Sequence, residues 1–325
     1  SGKRKLLWNY WLLWGGLAAF LILLPNLIWQ IVNDFPSLEL YRNSFSGKNI
    51  EKSPVEILIE QIVFANPATF PLWLTGVIAL AFRRGKEFRL MLFAYLFLMA
   101  MMIAGQSSRP DRIASIYTFL IAFGAVTIEQ EMKKKGRLVV QLTLGVLMIT
   151  GGVLLTPVFI PLMAPQQLKA HIARLGLKMD LEEGKKGEPI PQWLADRLGW
   201  HELAEEVAEV YHGLPSAERQ NPVIISANYG HAGALELYGP ELGLPAVYAT
   251  HNAFHTWGPP SDSVKTYIAV SINIEEVKTM FDSVEEATVV YCPDCTRPQR
   301  EMPIYILRGP KFSIEKEWKR FRIYG

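Results

Sequence analysis

Two cysteines in 325 residues, Cys292 and Cys295, are too few for a disulfide-stapled scaffold. Lysine and arginine nearly balance aspartate and glutamate, leaving a net charge of +2, so charge indicates no nucleic-acid partner. There is no internal repeat, no low-complexity tract and no G-x-G-x-x-G spacing, which withholds support from repeat folds, disordered tails and dinucleotide sites. The chain begins Ser1-Gly2-Lys3 without an initiator methionine, so a processed, tagged or longer parent is expected.

Apolar sequence, by contrast, is abundant. Half of the residues are hydrophobic and the mean hydropathy is +0.14, too apolar for an ordinary soluble protein and too charged for a pure bundle of membrane helices. The run 6–32 exceeds the roughly 20 residues that cross a bilayer and lacks a small-residue cleavage site. Four further apolar runs lie at 65–82, 88–104, 113–128 and 138–163. About five transmembrane helices of a membrane domain, 1–163, are therefore expected. Three basic clusters separate these runs: Lys3–Lys5, then Arg83, Arg84, Lys86 and Arg89, then Lys133–Lys135 with Arg137. The positive-inside rule puts all three in the cytoplasm. The N-terminus is then cytoplasmic, and the loop 33–66, the loop 105–112 and everything after Met163 face outward.

The outward part, 164–325, reads as a soluble extracytoplasmic α/β domain. A polar stretch, Leu181–Pro189, reads as a loop, and Trp193–Gly213 has helical spacing. Short β-like runs at Val223–Ala227, Ala246–Ala249, Thr266–Val270, Ala287–Tyr291 and Ile304–Leu307 alternate with helical segments near Ala232–Tyr238 and Ile274–Phe281. That order predicts a small parallel sheet with helices on its faces.

Four places carry candidate chemistry. Arg109 and Arg112 flank Pro110-Asp111 at the outer mouth of the fourth apolar run. Guanidinium groups bind phosphate through paired hydrogen bonds; the plainer alternative is that they snorkel or pair with Asp111. Ser226–Gly233 follows a predicted strand and opens a helix, where parallel sheets present ligands. Within it Asn228, Tyr229 and His231 could meet a ligand, or the two glycines could simply form a packing turn. Thr250–Gly258 gathers His251, Asn252, His255 and Trp257. The histidines have zincin spacing, but Asn252 stands after His251 where a metalloprotease needs glutamate. A polar, aromatic loop suits sugar or glycan contact; alternatively Phe254 and Trp257 dock it onto the membrane domain. Finally, Cys292-Pro-Asp-Cys295 admits a disulfide outside the cytoplasm, free thiols, or a metal shared with His251 and His255. Almost no ionisable residue interrupts the apolar runs, which argues against a transporter.

Several blocks also resemble a known family. Pro25–Gln30, Asp34–Asn43, Asn66-Pro67, Pro71–Gly76, Arg109–Val126 (with Tyr117 and Phe123–Ala125), Ala227–Gly239, Gly243–Pro245 through Gly258, Cys292–Cys295, Pro303–Tyr305 and Arg308–Pro310 are similar to the C-terminal half of bacterial glycosyltransferase family 39. Protein mannosyltransferases and the aminoarabinose transferases of lipid A belong to that family. The resemblance implies a GT-C membrane fold, an inner-membrane (plasma-membrane) location, and transfer of a sugar from a polyprenyl-phosphate donor to a lipid, protein or glycan acceptor outside the cytoplasm. It implies donor-phosphate binding by Arg109, Arg112 and Tyr117. Acceptor or glycan binding would fall to Asn228, Tyr229, His231, His251, Asn252, His255 and Trp257. No cofactor beyond the lipid-linked donor is expected, and a divalent metal is left open. The family places its catalytic carboxylates after its first membrane helix, whereas Asp34 and Glu39 fall in a later block. The base is therefore expected from an N-terminal half that precedes this sequence. A non-catalytic, membrane-anchored glycan-binding subunit is the competing expectation.

Overall fold

The computed structural model describes residues 9–47, 52–82, 88–105, 109–132, 134–177 and 190–325. The clusters Lys3–Lys5, Arg83-Arg84 and Lys86, the side chains of Lys133–Lys135, and the stretch Leu181–Pro189 lie outside the described residues and side chains. Contacts divide the chain into two units. One comprises Ser1–Ser46, Gly199–Pro293 and Arg297–Gly325; the other comprises Gly47–Leu198 and Asp294–Thr296.

The second unit is helical. It contains α3 (Pro54–Phe64), α4 (Phe70–Phe82), α5 (Arg89–Ala104), α6 (Ala114–Glu131), α7 (Lys134–Phe159), α8 (Pro165–Arg174) and α9 (Gln192–Ala195); α1 (Tyr10–Val32) and α2 (Pro36–Gly47) belong to the first unit. Among the described residues three helices are long and apolar enough to cross a membrane: Tyr10–Val32, Pro110–Glu131 and Gly136–Phe159. The pair α3–α4 is apolar enough to count as one more span, but it is bent by 97°. The expected run 65–82 is thus a break followed by the 13 residues of α4, and 88–104 is the shorter apolar helix α5.

The bend has a local cause. Asn66 precedes Pro67, and proline disfavours helical backbone in the residue before it. Asn66 sits at φ 64°, its Oδ1 accepts from Ala68 N at 3.2 Å and its Nδ2 donates to Met148 O of α7 at 3.0 Å. The expected outer loop 33–66 is likewise not a loop but mostly α2 and α3. Helix α3 starts at a capping box in which Ser53 and Glu56 satisfy each other's backbone N–H, a signal carried by two residues and outweighed by the polar stretch before it.

α4 and α6 pack backbone to backbone. A Cβ placed on Gly76 would lie 2.2 Å from Leu120 O, and one on Gly124 would lie 1.8 Å from Leu72 O. Only glycine permits such an approach, as in other small-residue helix contacts. Around this contact Trp73, Tyr95 and Tyr117 form a buried aromatic cluster, with Tyr117 at 5.4 Å from Trp73 and 6.0 Å from Tyr95 between ring centroids.

The first unit is built on a five-stranded sheet: β1 (Val223–Ser226), β2 (Val247–Ala249), β3 (Thr266–Val270), β4 (Phe281–Tyr291) and β5 (Glu301–Pro310). The order is β2-β1-β3-β5-β4. β1 runs parallel to β2 and β3, but β5 is antiparallel to both β3 and β4, so the expectation of a parallel sheet is corrected to a mixed one. β4 and β5 form a long hairpin around Cys292–Cys295, and such a return needs no crossover helix. β4 changes register between Glu286 and Thr288, a bulge. Helices α10 (Trp200–Gly213) and α11 (Tyr229–Tyr238) supply Leu203, Val207 and Leu235 to the core against Ile224, Ile268 and Ile304. The expected helix 193–213 is interrupted at Gly199, which has φ 80°. The remaining short helices are α12 (Ala253–Thr256), α13 (Ile274–Val277) and α14 (Ile314–Glu317), the last running into a 3-10 turn, Trp318–Phe321.

The contact between α4 and α6 makes a prediction for the full chain in detergent micelles. Gly124→Ala should cost about 2 kcal/mol or more, because the methyl group cannot fit without parting the helices. Gly145→Ala on α7, where a Cβ meets nothing within 4 Å, should be neutral or slightly stabilising. Equal loss in both variants, read by reversible unfolding, would contradict the role given to this contact.

Candidate functional site

Two regions present chemistry, one in each unit. In the helical unit, the turn Pro110–Ile113 leads directly into α6. Gln61 of α3, fully buried, donates through Nε2 to Pro110 O at 3.2 Å, and this anchors the turn. Arg109 and Asp111 form a two-point ion pair, Nη2 to Oδ2 at 3.0 Å and Nε to Oδ1 at 3.3 Å. Both partners are about two-fifths exposed (44% and 40%), and an exposed pair of this kind contributes only ~0–1 kcal/mol. It can open at low cost to a stronger anion. Arg112 is exposed.

Tyr117 lies elsewhere. It is buried on α6 among Trp73 and Tyr95, yet it also lines a groove of about 410 Å³. The walls are Ala114, Thr118 and Ile121 of α6, Phe64–Asn66, and Gly152–Ile160 of α7. They are mostly apolar. Ala114 stands two residues after Arg112, so the turn and the groove share the start of α6.

In the sheet unit, the expected ligand loops do structural work. Asn228 caps α11: its Oδ1 accepts from Gly230 N at 2.6 Å, while Ser226 Oγ donates to Asn228 O at 3.1 Å and accepts from Asn228 N at 3.2 Å. The cap starts the helix at Tyr229, three residues earlier than the apolar pattern indicates. His231 is buried with neither ring nitrogen hydrogen-bonded, its ring edge-on to Trp200 at 5.7 Å. Burial disfavours the charged imidazolium and pushes its pKa down to about 4.

The second loop holds the segment 318–325. His251 Nε2 lies 3.0 Å from Gly325 O, Asn252 Oδ1 accepts from Gly325 N at 3.2 Å, and Asn252 N donates to Ile323 O at 2.8 Å. Asn252 takes φ 54° to do so. His255 and Trp318 exchange hydrogen bonds, His255 Nε2 to Trp318 O and Trp318 Nε1 to His255 O, each at 2.9 Å, with their rings stacked at 5.4 Å. Of the residues expected to meet a glycan, Tyr229 and Trp257 remain the exposed ones, at 47% and 65%. Cys292 and Cys295 are disulfide-bonded, so neither is a free thiol. Among the described residues no group of three His, Cys, Asp or Glu side chains is placed to hold a metal.

One feature of the sheet unit extends beyond the segments that the residue pattern marks. A cavity of about 260 Å³ opens at the carboxyl ends of β1 and β3, lined by Ser226, Ile272, Met280 and Phe312, with Asn273, Glu276 and Arg320 also on its lining. The chain leaves β1 toward β2 on one side and later returns to β3 on the other, which makes this the switch point where open α/β sheets receive ligands. Ser271, with φ 52°, holds the turn out of β3 in a conformation that L-residues seldom adopt. The signal in the sequence would have been the exit of the third strand, which carries no conspicuous chemistry.

No family model matches the chain, and neither a curated protein nor a solved structure does.

His231 generates a pH prediction. Its folded pKa lies below the unfolded value of about 6.5, so the unfolded chain binds the extra proton first. Stability should be full above pH 6.5, fall as pH drops toward 4, and lose roughly 3 kcal/mol over that window. His231→Leu should flatten this part of the profile. An unchanged slope in the variant would assign the acid sensitivity to other groups.

Proposed function

We propose that this chain is the C-terminal part of a membrane glycosyltransferase with a GT-C type helical bundle, which moves a sugar from a polyprenyl-phosphate donor to an acceptor on the extracytoplasmic side. The observation that carries the reading is the pairing of an arginine turn, Arg109–Arg112, with an apolar groove that begins at the next residues of α6. A polyprenyl phosphate has these two parts: an anionic head and a long apolar chain. The resemblance to family 39 supports the same assignment independently of the geometry. On this reading the multi-pass chain sits in the plasma (inner) membrane with its N-terminus in the cytoplasm.

The transfer is inverting. The acceptor oxygen forms a bond to the anomeric carbon as the bond from that carbon to the phosphate oxygen breaks. The acceptor proton passes to a carboxylate, and the lipid phosphate leaves with the electron pair. Arg112, and Arg109 once released from Asp111, stabilise the charge on the departing phosphate. Tyr117 shapes the groove wall rather than touching the phosphate, since it is buried in the aromatic cluster. The carboxylate is assigned to an N-terminal half.

A second reading, a non-catalytic glycan-binding subunit anchored by its helices, draws on the exposed Tyr229 and Trp257. The two readings separate in a binding measurement on the full chain in nanodiscs. Arg109→Ala and Arg112→Ala should each weaken affinity for a polyprenyl-phosphate sugar by about 10-fold or more, the value of a charge-assisted hydrogen bond. Asp111→Asn should tighten it by releasing Arg109. Affinity unchanged in both alanine variants rejects the arginine site, and binding of free glycan with no affinity for the lipid-linked sugar favours the subunit.

A further inference from the structure

The sheet unit carries its own route to the membrane surface. α1 ends at Val32, and the chain turns at once into α2: Phe35 N donates to Gln30 O at 2.7 Å, and Gln30 Nε2 donates to Ser37 Oγ at 2.6 Å. Glu39 lies on the first turn of α2, about 5 Å along the axis from Pro36 at 1.5 Å per residue. Its carboxylate accepts from Arg322 Nη2 at 2.7 Å, and Asn43, one turn further on, donates to Tyr324 O. The segment 322–324 is thereby fixed within one or two helical turns of the end of an apolar helix long enough to span a bilayer.

From there a chain of contacts links further exposed residues to this segment. Ile323 is bonded to both neighbours of His251, accepting from Asn252 N and donating to Thr250 O at 3.1 Å, and Tyr229 packs edge-on against the His251 ring at 4.9 Å. The stacked and reciprocally bonded pair His255–Trp318 locks α12 to the turn Trp318–Phe321. Trp257, 65% exposed and 4.4 Å from the Phe254 ring, follows His255 by two residues on one side of this pair; Lys319 and Arg320, both exposed, follow Trp318 directly on the other chain segment. Arg320 forms a loose ion pair, 3.6 Å to Glu317. Residues 315–322 carry four cations against two carboxylates.

Exposed tryptophan, tyrosine and isoleucine beside lysine and arginine are the composition of an interfacial anchor: amphipathic rings favour the headgroup layer, and cations there are drawn to anionic lipid. A lone exposed ring needs no explanation, but apolar side chains and two cations linked by hydrogen bonds and ring contacts to a segment tied close to the end of a membrane-length helix do. We propose that the edge formed by Tyr229, Phe254, Trp257 and Ile323, with Lys319 and Arg320, rests on the headgroup layer of an anionic membrane. It thus holds the sheet unit against the lipid surface. The inference rests on the reading of α1 as a membrane span.

The test uses the full chain in nanodiscs of phosphatidylcholine with and without phosphatidylglycerol. A single reporter fluorophore is attached at position 257 (Trp257→Cys), at the exposed position 237 of α11 (Leu237→Cys), or at position 22 within α1 (Ile22→Cys), under non-reducing conditions that keep Cys292 and Cys295 bonded. Quenching by headgroup-proximal doxyl lipid is compared with quenching by aqueous iodide. Position 257 should be quenched by the lipid and shielded from iodide by about 5-fold relative to position 237. Lys319→Glu with Arg320→Glu should remove most of that shielding in anionic discs, with little change in zwitterionic ones. Iodide access at 257 equal to that at 237, or shielding without lipid quenching, would overturn the proposal while lipid quenching at position 22 persists. Loss of lipid quenching at position 22 would instead overturn the membrane span and, with it, this inference.

Discussion

The helical unit is organised by the distance at which two backbones touch. At Gly76 and Gly124 the helices α4 and α6 come so close that each glycine faces a carbonyl oxygen of the other helix. Close van der Waals contact between small residues holds helices together without large apolar side chains between them. That contact sets the position of α6, and the aromatic cluster of Trp73, Tyr95 and Tyr117 fills the space it leaves. The start of α6 is held separately, by the buried Gln61 amide on Pro110 O. The arginine turn is therefore suspended between two fixed points, a rigid way to present an exposed and easily opened ion pair.

The sheet unit depends on contacts of long sequence separation. The segment 318–325 is held by His251, Asn252 and His255 on one side and by Glu39 and Asn43 of α2 on the other. The histidines thus act as hydrogen-bonding structural groups. The capacity for chemistry that their residue type suggests is spent on holding backbone carbonyls in place.

This division explains what could be read from the sequence. The apolar runs and four of the five strands are short-range patterns, and the structure has elements at those places; β4 begins six residues before its expected run because its outward face is charged and hides the alternation. The direction of β5 is not written in any local pattern, since it depends on which neighbour the hairpin joins. The bend at Asn66-Pro67 was legible as a proline but not as an angle. At the candidate sites, Arg109 and Asp111 are neighbours in sequence, so their ion pair was foreseeable. The bonds from His251 to Gly325 and from His255 to Trp318 span 74 and 63 residues, and nothing near the histidines announces them. The cavity at the ends of β1 and β3 begins at Ser226 and Thr250, where the residue pattern points to a ligand, but its far wall, Ile272, Met280 and Phe312, is brought there by topology and not by residue type.

The mixed order of the sheet has one more result. Each open sheet edge offers unpaired backbone groups to any passing extended chain, and so invites aggregation. Here one edge strand, β2, is only three residues long, and the chain just beyond it pairs with Ile323. The other, β4, is the longest strand, but it carries Asp282, Glu285 and Glu286 exposed and is broken by the bulge after Glu286. A second chain laid along it would bury carboxylates and lose register within a few residues. Short length at one edge, and charge with a bulge at the other, thus guard the sheet against further strands without closing it into a barrel.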